Sequence, residues 1–188
     1  RQRQMCIRDR FYISEIQYTA PAEYKTELQE VIYTTLQKLR IRFERVDTDE
    51  VISMEDCIPI NRKLDMKMVK TLFLCNRQKT DFYLFITTAD KPFRAKELSA
   101  VINIPHLSFA PVDLFEKMLG TKVGAATIFS VILDKNNHVQ VLLDKDVVSE
   151  EYYGCSDGTT RGYMKIKTAS IVNYFLDFAK HKPTIIAI

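Results

Sequence analysis

The sequence predicts an α+β fold, one domain in which a mixed, mainly antiparallel central sheet is covered by helices. Two observations carry this. Val69–Cys75 (VKTLFLC) and Phe82–Thr87 (FYLFIT) are strand-like runs around the polar turn Asn76–Asp81, the pattern of an antiparallel hairpin. Amphipathic helical stripes flank this hairpin without the strict strand–helix alternation of a parallel sheet. A length of 188 residues, 46% of them hydrophobic, suits a single core, and no linker or repeat interrupts the chain after residue 18.

The elements follow in order. Thr19 is a candidate cap and Pro21 a first-turn residue for a helix that places Leu28, Val31, Ile32, Leu36 and Leu39 on one stripe and ends near Arg40. Ile41–Asp47 alternates as a strand. Residues 48–60, polar and broken by Pro59, predict a loop around a helical turn at Met54–Cys57, followed by a short helix over Asn61–Met66. After the hairpin come helices over Phe93–Ile102 and Pro111–Leu119, the latter stopped by Gly120. Ala126–Leu133 and Val139–Leu143 predict paired strands around Asp134–His138. A short strand at Met164–Lys167, a helix capped by Thr168 and a strand over Thr184–Ile188 complete the chain.

Composition narrows the function classes. The formal charge of +3 sits entirely in residues 1–10, which hold four arginines and one aspartate; the rest of the chain carries 23 charges of each sign. A neutral domain has no broad basic field, so any nucleic-acid contact must be local. Residues 1–10 have no apolar period and no cap. They resemble a cloning remnant and are left out of fold reasoning, so residues 1–18 are expected to be a tail and 19–188 the domain. No apolar run reaches membrane-spanning length and no signal peptide is visible, which favours the cytoplasm.

Standard catalytic motifs are missing. The cysteines at 6, 57, 75 and 155 form no CxxC pair, and His106, His138 and His181 do not stand at ligand spacing from them, so no metal site is expected. There is no GxSxG elbow. Gly120–Gly124 (GTKVG) resembles half of a phosphate loop but lacks the GK[ST] ending and precedes an apolar run that reads as a strand. The acidic residues Asp47, Asp49, Glu50, Glu55 and Asp56 read as a solvated loop.

The stretch Val69–Arg77 (VKTLFLCNR) is similar to the lysine-bearing strand of the YbaK/prolyl-tRNA-synthetase-associated domain family, where a lysine opens a strand of the form KxLFL. The resemblance continues in order through Leu39–Asp47, Asp81–Phe93, the LSFA element Leu107–Ala110, the glycine loop and apolar run Leu119–Leu133, Asp134–Asp144 and the HKPT of His181–Thr184. It covers roughly residues 30–188.

This resemblance implies a free-standing aminoacyl-tRNA deacylase that removes a wrong amino acid, alanine on tRNA for proline above all, with no metal and no organic cofactor. It implies that Lys70 presents its ammonium to a phosphate or carbonyl of the tRNA 3′ end. It also implies that the loop of Gly124, Ala125 and Ala126 offers backbone amides to the developing oxyanion. Thr71 stands where many relatives have asparagine. Relatives follow the Gly-Cys pair with His-Pro-Asn; here Gly154-Cys155 is followed by Ser156, Asp157, Gly158, Thr159 and Thr160. Either Ser156, Asp157, Thr159 and Thr160 build a differently tuned amino-acid pocket, or the segment serves turn formation. His181 is open between a pocket residue and a packing residue. Two other functions remain open: a non-catalytic module for a tRNA 3′ end, and a regulatory partner of prolyl-tRNA synthetase. Neither DNA nor a membrane is an expected partner.

Overall fold

The computed structural model describes residues 11–188. The segment 1–10, expected to be foreign to the domain, lies outside them. Eight strands form two sheets among the described residues. The larger has the order β4-β2-β3-β5-β8 and the smaller β1-β7-β6. Four of the six strand pairings are antiparallel, and β3–β5 and β5–β8 are parallel, so the mixed, mainly antiparallel α+β architecture holds.

Residues 11–18 are no tail. Ile13 bridges Thr48, Gln17 bridges Arg45, and Phe11, Ile13 and Ile16 pack on an apolar cluster. The first helix, α1, begins later than expected, at Glu27, and runs to Lys38. Thr26 is its cap, accepting from the Gln29 amide at 3.0 Å, with Glu27 and Glu30 in the first turn; Thr19 and Pro21 precede the helix in irregular, bent chain.

Strand β1 (Phe43–Asp47) leads through a 3₁₀ turn at Met54–Asp56 into α2 (Cys57–Leu64). Pro59, expected to break the chain, sits in the first turn of α2, where an amide hydrogen would have no intrahelical acceptor. The expected antiparallel hairpin of β2 (Val69–Cys75) and β3 (Phe82–Thr88) forms, with Lys70 opposite Thr87 and Phe73 opposite Leu84. Asn76 closes it, its Oδ1 accepting from the amides of Thr80 and Asp81 at 2.9 and 3.1 Å. Helix α3 (Ala95–Ile102), the short β4 (Ser108–Phe109) and α4 (Val112–Leu119) follow; Gly120 ends α4 at φ +67°.

The expected strand over Ala126–Leu133 is a 3₁₀ helix, Ile128–Leu133. An apolar run of this length fits a buried strand or a buried helical turn equally well. Local hydrogen bonds select the turn: Thr127 caps it, and Ser130 Oγ donates to the Leu119 carbonyl at 2.7 Å. Strand β5 (Val139–Asp144) therefore has no hairpin partner before it and pairs in parallel with β3. After α5 (Lys145–Val148), the strand β6 (Tyr152–Ser156), unanticipated from the sequence, pairs with β7 (Gly162–Lys167). The last helix is built from α6 (Thr168–Ser170), a π-helical stretch at Ile171–Phe175 and α7 (Leu176–Phe178), and Thr168 lies inside it rather than capping it. Strand β8 covers only Thr184–Ile186.

Alternation along β2 divides the interior. Phe73 and Cys75 face the main core with α1, α4 and the smaller sheet; Leu72 and Leu74 face a second cluster with Leu98 and Ile186. Asp134 organises the entry to β5, accepting from the amides of His138 and Val139 and lying 2.8 Å from His181 Nε2. Burial pushes the Asp134 carboxyl up, but the His181 hydrogen bond and the two amides outweigh it and hold the group below its ordinary value.

A carboxyl depressed in the folded state gives its full stability above its unfolded value, about 3.9 for aspartate, and loses it as pH falls through the folded value. Urea unfolding at successive pH values is therefore expected to show stability falling below about pH 4, with a shallower fall for Asp134→Asn. Parallel acid limbs in the two proteins would contradict this role for Asp134.

Candidate functional site

Between Val69 and Leu72 the edge of β2 away from β3 carries no strand, because β4 pairs only with Leu74 and Cys75. A cleft of about 520 Å³ opens at this edge, between the two sheets. One wall is β2 with Lys70 and Thr71; facing it are Cys155, Ser156 and Tyr163 of the smaller sheet. Phe109 and Phe115 also line it, and Gly124 and Ala126 line the cleft from their loop. Around the mouth, Ile52, Met54, Phe109, Val112 and Val123 are exposed. A pocket with mostly apolar walls and few polar groups is the ordinary form of a small-ligand site.

The loop before the 3₁₀ helix owes its shape to Gly124, at φ +100°, a conformation that side chains with a Cβ rarely adopt. The Ala125 amide donates to the Lys122 carbonyl at 3.1 Å, and its side chain is buried outside the cleft lining. The amides of Gly124 and Ala126 have no acceptor among the described residues. Of the three loop positions, then, 124 and 126 face the cleft and 125 anchors the turn.

Segment 156–162 is internally bonded. Ser156 Oγ donates to the Thr159 carbonyl at 2.6 Å and accepts from the Gly158 amide at 3.0 Å, so only one lone pair remains. Asp157 points away from the cleft, under α1. Its carboxylate accepts from Gln29 Nε2 (2.8 Å), Tyr33 Oη (2.9 Å) and Thr159 Oγ1 (2.7 Å). Gly162 leaves room for it, since a Cβ there would collide with the Asp157 carboxylate. Thr160 lies beside Gly124, its Cγ2 3.9 Å from where a Cβ would be, and Thr121 Oγ1 donates to the Gly158 carbonyl at 2.8 Å, docking the glycine loop on this turn.

The expected site residues thus separate. Lys70, Thr71, Gly124, Ala126 and Ser156 line one cleft, with Thr160 at its edge. Asp157, Thr159 and His181 do not line it; His181 packs against Asp134 and the Ala179 carbonyl. The Lys70 ammonium donates to the Lys91 carbonyl. Cys57, Met68, Phe109, Phe115 and Tyr163 line the cleft and were missed. Phe109 lay within the LSFA element; Tyr163 gave no signal because its strand was placed from Met164 onward.

Three groups in the cleft are pushed toward their neutral forms. Burial, then Asp56, raises the Cys57 thiol; burial, then Asp157, raises that of Cys155. Burial, then Cys57, raises the Tyr163 hydroxyl. Protonated thiols are poor nucleophiles, which leaves the lysine, the loop amides and the neutral hydroxyls of Thr71, Ser156 and Tyr163 as the polar groups of the cleft. Among the described residues, no three His, Cys, Asp or Glu side chains cluster as metal ligands, and no helix is long and apolar enough to cross a membrane.

The chain is 29% identical over 122 residues to the prolyl-tRNA editing protein ProX of Acetoanaerobium sticklandii, covering 65% of this chain and 74% of that protein. It is 28% identical over 127 residues to the mouse (Mus musculus) prolyl-tRNA synthetase associated domain-containing protein 1, covering 66% and 72%. A solved structure described as "a putative trans-editing enzyme for prolyl tRNA synthetase" superposes with a TM-score of 0.61 at 12% identity, over 87% of this chain and 98% of that one, a likeness of fold. The model of the aminoacyl-tRNA editing domain matches residues 48–174, a span that holds β2, the glycine loop and the turn after Cys155, and the chain belongs to that family.

Proposed function

We propose that the protein is a trans-editing hydrolase that deacylates mischarged aminoacyl-tRNA, with alanine on tRNA for proline as the leading substrate. The observation that carries this reading is that Lys70 lines one mostly apolar cleft together with Gly124 and Ala126, whose amides have no acceptor among the described residues. An aminoacyl ester is already activated, and the neighbouring ribose hydroxyl can orient the attacking water. Water adds to the carbonyl carbon, the ester C–O bond breaks, and the ribose oxygen takes the proton. The Gly124 and Ala126 amides stabilise the oxyanion, and Lys70 binds a phosphate or carbonyl of the tRNA end. No metal or organic cofactor enters this scheme. Its setting is the cytoplasm, with prolyl-tRNA synthetase as the companion enzyme.

Ser156 stands where relatives carry a histidine, so the wall beside it is smaller. A panel of tRNA for proline charged with alanine, serine, cysteine or proline is expected to show release of alanine and serine and little release of proline. Ser156→His is expected to narrow that range, because a methylene of pocket space is worth about 1–3 kcal/mol. Identical relative rates in both proteins would place residue 156 outside the pocket. The commitment of Ser156 to its turn favours a second reading, a non-catalytic module for a tRNA 3′ end or a regulatory partner of the synthetase. That reading requires binding of the charged tRNA with no release of any amino acid.

A further inference from the structure

Lys70 stands at the open edge of β2, yet the acceptor of its ammonium, the Lys91 carbonyl, belongs to the turn after β3. Lys91 is itself anchored. Its Nζ lies 2.8 Å from Asp144 Oδ2, 2.6 Å from Asp146 Oδ2 and 2.9 Å from the Ile188 carbonyl. Asp144 is wholly buried at the end of β5, and its carboxylate also accepts from Thr87 Oγ1 at 2.7 Å and from the Asp146 amide at 3.0 Å. Thr87 is the residue opposite Lys70 in the β2–β3 register. One buried carboxylate therefore fixes the surroundings of Lys70 twice, through its cross-strand partner and through the turn that supplies its acceptor.

We infer that Lys91 and Asp144 are positioning residues for Lys70, a residue of the cleft lining: their ion pair fixes the turn at 88–91, and the Lys91 carbonyl then holds the Lys70 ammonium in one place. Neither residue lines the cleft, so neither touches what binds there. A lysine on four rotatable bonds samples many positions, and a single fixed acceptor removes much of that freedom. The carbonyl takes one of three ammonium hydrogens, leaving two for an anionic or carbonyl oxygen of the substrate. Asp144 suits the task because it stays ionised: burial raises its carboxyl, and the hydrogen bonds from Lys91 and Thr87 reverse this and bring it below the ordinary value. The inference rests on the reading of Lys70 as a working residue of the proposed deacylase.

The test compares wild type, Lys91→Met, Lys70→Ala and the double variant in single-turnover release of alanine from alanyl-tRNA for proline. Acylation of Lys70 by an amine-reactive ester, followed by mass spectrometry, is measured alongside. Lys91→Met is expected to lower the rate at least about fivefold in the presence of Lys70 and to change it by less than about twofold in the Lys70→Ala background. Labelling of Lys70 is expected to rise at least about twofold in Lys91→Met as its ammonium is released, and Lys91→Arg, which keeps the cation, should restore both readouts toward wild type. An equal rate loss in both backgrounds would overturn the inference, as would Lys70 labelling unchanged by Lys91→Met. If wild type releases no amino acid, the proposed function fails, and the labelling alone still decides whether Lys91 positions Lys70.

Discussion

Replacing Lys70 with alanine is expected to lower the rate of alanine release from alanyl-tRNA for proline by at least about tenfold, since one charge-assisted contact is worth on the order of 1.5–3 kcal/mol. The fold is expected to persist. Lys70 is only half-buried, and its head contacts the Lys91 carbonyl, not an apolar core. Circular dichroism and the melting temperature should match wild type while the rate falls. Turnover equal to wild type would remove Lys70 from the reaction.

The opposite behaviour is expected at Asp157, which was a candidate pocket residue in the sequence and is a buried anchor in the fold. Asp157→Ala strips the acceptor from Gln29, Tyr33 and Thr159 at once, all of them buried. An orphaned buried donor costs about 1–3 kcal/mol, so a loss of about 3 kcal/mol or more is expected, and with it a melting temperature lower by roughly 10 °C. The turn carrying Ser156 and the docked glycine loop loosen with it, so activity falls through stability. A melting temperature within about 2 °C of wild type would contradict the anchoring role.

The contrast between Lys70 and Asp157 shows how far the sequence could be read. Local signals identified the hairpin of β2 and β3, because alternation and a polar turn are properties of adjacent residues, and the KxLFL pattern led to Lys70. They could not identify the partner of β5, since parallel pairing joins segments far apart in the chain. The run Ile128–Leu133 was ambiguous for the same reason: Ser130 and the Leu119 carbonyl decide its form, and their meeting depends on the packing of α4. Hydroxyl and carboxyl groups after Cys155 looked alike in sequence; both Ser156 and Asp157 are buried, and only their partners in the fold separate Asp157, bonded under α1, from Ser156 at the cleft. The anchoring of Lys91 by Asp144 was invisible, because β3 and β5 meet only in the folded sheet.

The central claim, that this cleft hydrolyses a mischarged ester, is tested most directly by the rate of alanine release from alanyl-tRNA for proline under single-turnover conditions, with and without the purified protein. The account predicts release at least about a hundredfold above the buffer rate, the order expected from a pair of placed oxyanion donors, and no loss after dialysis against a strong chelator. Release indistinguishable from buffer, by a folded protein that still binds the charged tRNA, would contradict it.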